Sequence, residues 1–276
     1  MKNPFFTIFT PVYNGEKHLH RVFESVTKQL FKDFEWIIVN DGSVDNTETL
    51  IKSFIQDHPE IDIIYLEQEN SGKHISWNKA IKIARGKLFV PADADDYFMP
   101  YTLLFFYEKW NALTQVQQES FSGINVLCLD NETDNIVGDP FPSDGMISNN
   151  IELEYKYKLK GEKWGSIRVD LLKSRPFPII KGSHYPEGYI WLYLGKKYKV
   201  ICYNTALRRY YTTDTGISKT HANRVNSSLK NKINLKITLW LVCNFGFYML
   251  FYSPERFIRN IYFIMKLCVI IVIRRR

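Results

Sequence analysis

Lys87-Leu88-Phe89-Val90-Pro91-Ala92-Asp93-Ala94-Asp95-Asp96 is a short apolar run that ends in three crowded acids. Upstream of it, β-rich runs alternate with helical stretches. Phe5–Phe9, Phe34–Asn40 and Ile61–Leu66 read as strands, and Lys17–Leu30, Thr47–Asp57 and Ser76–Arg85 read as helices. With Lys87–Pro91 as the fourth strand, this alternation predicts an α/β fold with a doubly wound, mostly parallel sheet. Ligands of such sheets bind beyond the carboxyl ends of the strands, where the loops converge.

The polar residues gather in those loops. They are Thr10–Glu16 after the first strand, Asn40–Thr47 after the second, Glu69–Lys73 after the third and Asp93–Asp96 after the fourth. Gly, Asn, Asp and Ser are ordinary turn and cap residues, which accounts for any one loop but poorly for four in succession. In Asp93-Ala94-Asp95, followed by Asp96, the carboxylates repel one another unless a cation or a hydrogen-bond network compensates. A divalent ion such as Mg²⁺ takes one or two carboxylates and completes its shell with water and substrate phosphates, so a diphosphate ligand is expected beside it.

Four stretches, TPVYNGE (Thr10–Glu16), VNDGSVDNT (Val39–Thr47), ENSGKHISWNKAIKIARG (Glu69–Gly86) and DADD (Asp93–Asp96), resemble glycosyltransferase family 2 in their order and spacing. The resemblance is strong over about residues 4–110, weaker to about 215 and compositional beyond. It implies the GT-A fold and transfer of a sugar from a nucleotide diphosphate donor, usually with inversion. Carried onto this sequence, it places Pro11, Val12, Tyr13 and Glu16 around the nucleoside, with Glu16 near the ribose, and Asp41 at the base edge as an acceptor for a uracil-like N–H. Gly72 would let the chain approach the nucleotide and Lys73 would meet the phosphates. Asp93, Ala94 and Asp95 form the DxD segment, with Asp93 and Asp95 expected to hold Mg²⁺ or Mn²⁺.

An inverting reaction also needs a base for the acceptor hydroxyl. The family draws it from a Glu-Asp pair that opens a helix, and the matching window here is Tyr185-Pro186-Glu187-Gly188-Tyr189-Ile190-Trp191. Gly188 replaces the second acid. Glu187 is therefore the expected base, at the start of a helix Glu187–Leu194, with Asp170 and Asp214 as fallbacks. Relatives often add a metal-binding His near Tyr211–Ser218; here the alternatives are Asp214, His221 or a metal held by the DxD alone. His18, His20 and His58 are expected to be solvated, and His74 and His184 are near the site by sequence alone. Loss of the second acid leaves room for a non-catalytic nucleotide-sugar-binding or scaffold protein, and an acid pair on a doubly wound sheet for a nucleotidyltransferase.

Residues 111–218, with a strand-like Asn125–Asp130, a loop at Asp139–Met146 and an aromatic, mixed-charge stretch Tyr155–Arg175, read as the acceptor half of one domain, 1–218, whose nucleotide-sugar-binding half is 1–110. The net charge of +7 belongs to the remainder, 219–276. From Lys219 on there are eleven Lys or Arg against the single acid Glu255, while the first 218 residues hold 25 basic and 28 acidic residues. Here the basic residues flank aromatic, apolar runs, which favours an anionic membrane surface over nucleic acid. Ile237–Tyr252 would reach only ~24 Å as a helix, short of a ~30 Å hydrocarbon core. It and Ile261–Ile273 are thus expected to be membrane-associated helices lying in the interface. Cys128, Cys202, Cys243 and Cys268 form no zinc or redox motif, and no targeting pattern precedes Phe5. The expected setting is the cytoplasmic face of the membrane, with a polyprenyl-linked saccharide as acceptor in bacterial surface-polysaccharide synthesis.

Overall fold

Continuous apolar sequences take the centre of the sheet because both faces there are covered. Phe6–Val12 (β1) and Phe34–Asn40 (β2) are buried at every position. β1 lies between β2 and Leu88–Pro91 (β4), and β2 pairs with Asp62–Glu67 (β3), all four in parallel. Helices Leu19–Thr27 (α1), Thr47–Asp57 (α2) and Lys73–Ile83 (α3) supply the crossovers that parallel pairing requires. The computed structural model describes residues 3–179, 185–211 and 227–273. His184, Asp214 and His221 lie outside the described residues.

The second half continues the same sheet with mixed directions. It contains Tyr97–Phe98 (β5), Thr102–Asn111 (α4), Gln115–Ser120 (α5), Phe121–Asp130 (β6), Met146–Ser148 (β7), Lys163–Arg168 (β8), Val169–Ser174 (α6), Gly188–Leu194 (α7) and Lys199–Tyr210 (β9). The strand order is β3-β2-β1-β4-β8-β6-β9-β5, with β7 on β9. β8 runs antiparallel to both β4 and β6, whereas β6 and β9 are parallel. β8 and β6 approach so closely that a Cβ on Gly165 would stand 1.8 Å from the Ile124 carbonyl oxygen, so only glycine fits there. The stretch Tyr155–Arg175, which carries no clear periodicity, contains both β8 and α6.

Two boundary shifts bear on function. β1 extends past Phe9 to Val12, so Pro11 and Val12 stand in the strand and not in the loop. Proline is tolerated because β4 leaves β1 at the pair Phe9↔Pro91, before an N–H at position 11 is needed. α3 starts at Lys73, three residues earlier than its apolar pattern suggests, because Gly72 at its N-cap adopts φ +98°, a left-handed conformation that glycine takes freely.

At the opposite end of the strands, Glu35 is fully buried yet satisfied. It accepts from Thr7 Oγ1, the Arg85 backbone N–H and Arg85 Nε, each at 2.6 Å. This network pins the α3–β4 connection and thereby the start of the strand that leads into the acids.

Contacts divide the chain into two units, Met1–Asn150 with Leu159–Thr213, and Ile151–Lys158 with Asp214–Arg276. In the second unit, Ser227–Tyr252 (α8) and Pro254–Ile273 (α9) are joined at Ser253, whose hydroxyl donates to the Tyr155 carbonyl at 2.9 Å. Tyr155 belongs to a π-helical turn, Glu152–Lys156, also held by an Arg256–Glu154 ion pair of 2.5 Å. Phe245, Met249 and Leu267 are buried, while Phe247, Leu250, Phe251, Ile258, Tyr262, Met265 and Val269 are exposed. α8 begins ten residues before the apolar run Ile237–Tyr252, because Lys232, Asn234 and Lys236 interrupt hydropathy but not the helix. Asn231–Tyr252, 22 residues of mean hydropathy 1.4, is long and apolar enough to cross a membrane by length and composition.

Candidate active site

The first two strand-end loops are tied to each other. Asn14 takes a left-handed conformation at φ 49°; its N–H donates to the Ser43 hydroxyl at 2.9 Å, and its side-chain oxygen accepts from Val44 N at 2.9 Å. The Gly15 N–H donates to Thr47 Oγ1 at 2.8 Å, and Asn46 Nδ2 donates to Glu16 Oε1 at 2.7 Å. Pro11 and Val12 are buried, Tyr13 is half-buried and Glu16 is exposed.

Asp41, buried at the end of β2, binds the third loop. Its Oδ1 accepts from Gln68 Nε2 at 2.7 Å and Ser71 N at 2.8 Å, and Oδ2 accepts from Gly72 N at 2.8 Å. Three of about four lone-pair sites are thus used inside the chain. Asp41→Ala strands two backbone N–H groups, and an expected stability loss of about 1–3 kcal/mol is measurable by urea unfolding.

α3 then delivers Lys73 to the acids. Its ammonium lies 2.7 Å from Asp93 Oδ1 and 2.8 Å from Glu187 Oε1. Burial alone would lower its pKa, but Asp93 and Glu187 outweigh that and hold it above the ordinary lysine value. Asp93 is half-buried, which works to raise its pKa, yet Lys73 and Arg208 bring it below the ordinary carboxylate value. Burial, then the charge of Asp93, pushes Asp95 upward. The Asp95 carbonyl accepts from Arg21 Nη1 at 3.0 Å, and the Arg21 guanidinium stacks on Tyr211 at 4.0 Å.

Two site residues escape a reading by motif. Arg208 of β9 is buried, with Nη2 2.7 Å from Asp96 Oδ2, 3.8 Å from Asp93 Oδ2 and 3.6 Å from Glu162 Oε1. Glu162 precedes β8, and both line a cavity of about 130 Å³ with Lys73, Asp93, Glu187 and Trp191. The available signal for Arg208 is a charged pair, Arg208-Arg209, inside an otherwise strand-like sequence; Glu162 has none. Burial raises the Asp96 carboxyl against the pull of Arg208.

Of the remaining candidates, Asp170 is exposed, paired with Arg168 and absent from the lining of this cavity. His20 is exposed and His58 faces Glu60 at 3.1 Å, whereas His18 is half-buried and lowered by burial and by Arg21, contrary to the expectation of a solvated ring. His74 is buried. Gly188 opens α7 with no atom within 4 Å of where a Cβ would stand, so the missing acid leaves open space. Among the described residues no three His, Cys, Asp or Glu form a metal-holding group. The donor chemistry at Asp93 and Asp95 is nonetheless suited to a hard cation that keeps water and substrate oxygens, and the raised Asp95 carboxyl is a charge such an ion would relieve.

The parallel sheet with an acid-tipped fourth strand and a mixed second half matches structures of the GT-A fold. S. aureus TarS in complex with UDP-GlcNAc superimposes with a TM-score of 0.64 at 19% identity, over 86% of this chain and 66% of that one. Mannosyltransferase PcManGT from Pyrobaculum calidifontis, in complex with GDP-Man and Mn²⁺, gives 0.61 at 16% identity, over 98% and 74%. Residues 7–125 match the family model Glycosyl transferase family 2. An uncharacterized glycosyltransferase of Rickettsia prowazekii is 38% identical over 36% of this chain and 29% of its own length. The uncharacterized glycosyltransferase YibD of Escherichia coli is 24% identical over 84% and 68%. The teichoic acid poly(glycerol phosphate) polymerase of Staphylococcus epidermidis is 38% identical over 38% and 15%. The chain therefore spans between about a seventh and two thirds of these relatives.

Proposed function

We propose that this protein is an inverting, cation-dependent transferase that moves a sugar from a nucleotide diphosphate, with UDP-sugars the first choice, to a hydroxyl of a lipid-linked saccharide. The observation that carries the reading is Lys73 between Asp93 and Glu187, at 2.7 and 2.8 Å, at the strand end that follows the nucleotide loops. Pro11, Val12, Tyr13 and Glu16 take the nucleoside, and the remaining acceptor site of Asp41 takes a base N–H. An ammonium has three donors, so Lys73 keeps one for a diphosphate oxygen. Asp93 and Asp95, on either side of Ala94, would hold Mg²⁺ or Mn²⁺, which when bound neutralises charge on the leaving diphosphate.

Glu187 acts as base. The acceptor oxygen bonds to the anomeric carbon as the bond from that carbon to the diphosphate breaks, and the hydroxyl proton passes to the Glu187 carboxylate. The exposed apolar faces of α8 and α9, with Lys232, Lys236, Arg259 and Lys266 beside them, suit the anionic inner face of a membrane, where a polyprenyl-linked acceptor resides. A role in surface-polysaccharide synthesis draws support from the teichoic acid polymerase among the relatives.

The test is the melting temperature of the purified chain with UDP, GDP, dTDP and their sugars, with and without Mn²⁺. A ligand of the native state at a hundred times its Kd adds about 2.7 kcal/mol, several degrees for a domain of this size. The expected result is a cation-dependent rise with one nucleotide; no rise with any of them in folded protein overturns the reading.

A further inference from the structure

Three carboxylates line the cavity, Asp93, Glu162 and Glu187, and they are not equivalent. Asp93 and Glu187 hold Lys73 at hydrogen-bond distance. The nearest cation to Glu162 is Arg208 at 3.6 Å, beyond a hydrogen bond, and Arg208 gives its short contact of 2.7 Å to Asp96. The Glu162 side chain is 45% exposed and lines this acid-rich space. Among the described residues this 3.6 Å ion pair is the closest charged contact that Glu162 makes. Burial pushes its carboxyl up, Arg208 opposes this, and the charges of Asp93 and Glu187 add to the rise.

Its neighbours in the lining are suited to hydroxyl groups. Asn125, Asn150 and Ser166 contribute amides and a hydroxyl, and Trp191 an aromatic face. Ser166 is 1% exposed and its Oγ has no hydrogen-bond partner among the described residues. The cavity, about 130 Å³, has room for several waters and so for the hydroxyl-bearing edge of a sugar ring.

We propose that Glu162 is a positioning and specificity residue for the acceptor, accepting a hydrogen bond from one ring hydroxyl so that a neighbouring hydroxyl faces Glu187. The acceptor that fits is a glycoside with free hydroxyls on adjacent carbons, and this rests on the transferase reading above. A residue that only orients the acceptor is dispensable when water takes its place, whereas the base is needed in both reactions.

The experiment measures nucleotide release by the full chain from UDP-glucose, UDP-galactose, UDP-GlcNAc, UDP-GalNAc and GDP-mannose in Mn²⁺, with and without octyl glycosides of the same sugars. Glu162→Gln is expected to lose glycoside-dependent release about ten- to hundredfold, through a raised KM for the glycoside, a much larger loss than that of the glycoside-free rate. Glu187→Gln should lose both. The proposal is overturned if Glu162→Gln transfers like the parent, if both its rates fall together, or if the parent releases nucleotide but uses no glycoside. Absence of release from every donor, together with no thermal shift, is the separate failure of the transferase reading.

Discussion

Asp95→Asn is expected to reduce sugar transfer by about 10²- to 10³-fold and to remove the cation-dependent part of nucleotide binding, while the ligand-free protein becomes more heat-stable. The opposite signs have one cause. Burial, then Asp93, raises the Asp95 carboxyl, so its ionised form is disfavoured in the native state at neutral pH. A carboxyl whose native pKa lies above its unfolded value costs stability above that native pKa, and the cost fades as pH falls through it. The stability advantage of the amide over the acid should therefore be largest near neutral pH and close on acidification. Calorimetry across pH checks the first part, and Mn²⁺-dependent nucleotide binding the second. A variant less stable than the parent at neutral pH would show that Asp95 is a structural acid.

The second large effect concerns Arg208. Arg208→Met leaves Asp96 buried without its 2.7 Å partner, and removal of one member of a buried pair costs about 3–5 kcal/mol. Asp96→Asn in the same chain should recover part of the loss, because the uncompensated charge is gone. Denaturant unfolding of the two single variants and the double variant gives the coupling, expected at about 0.5–3 kcal/mol. Additive losses would mean that Arg208 stabilises through packing on Trp164 and Tyr210, whose rings lie 6.0 and 5.6 Å away.

The first half of the fold is legible because each element there carries its own periodicity. β2 and α2 begin and end where the pattern puts them, at Phe34–Asn40 and Thr47–Asp57. The loops after β1, β2, β3 and β4 are local sequences, so their residues can be named from the order of amino acids alone. Lys73, Asp93 and Glu187 do converge, although Glu187 lies more than ninety positions from the acids it joins. Arg208 and Glu162 stay hidden for the converse reason. Their partners are fixed by strand order, and placement of β8 between β4 and β6 follows from long-range pairing that no local pattern announces. The start of α8 is missed because lysine and asparagine lower hydropathy without breaking a helix.

The hydrogen bonds that join residues 14–16 to residues 43–47, and Asp41 to Ser71 and Gly72, have a consequence for how tightly a nucleotide can be held. Loops that must be ordered on association subtract that ordering from the observed affinity. Here the described loops proposed as walls of the nucleoside site are already cross-braced by the chain's own groups, and little of the binding free energy would go into shaping them. On the proposed donor reading, recognition at this end would be rigid-body in character, and discrimination between bases would fall to shape and to the one acceptor position left on Asp41.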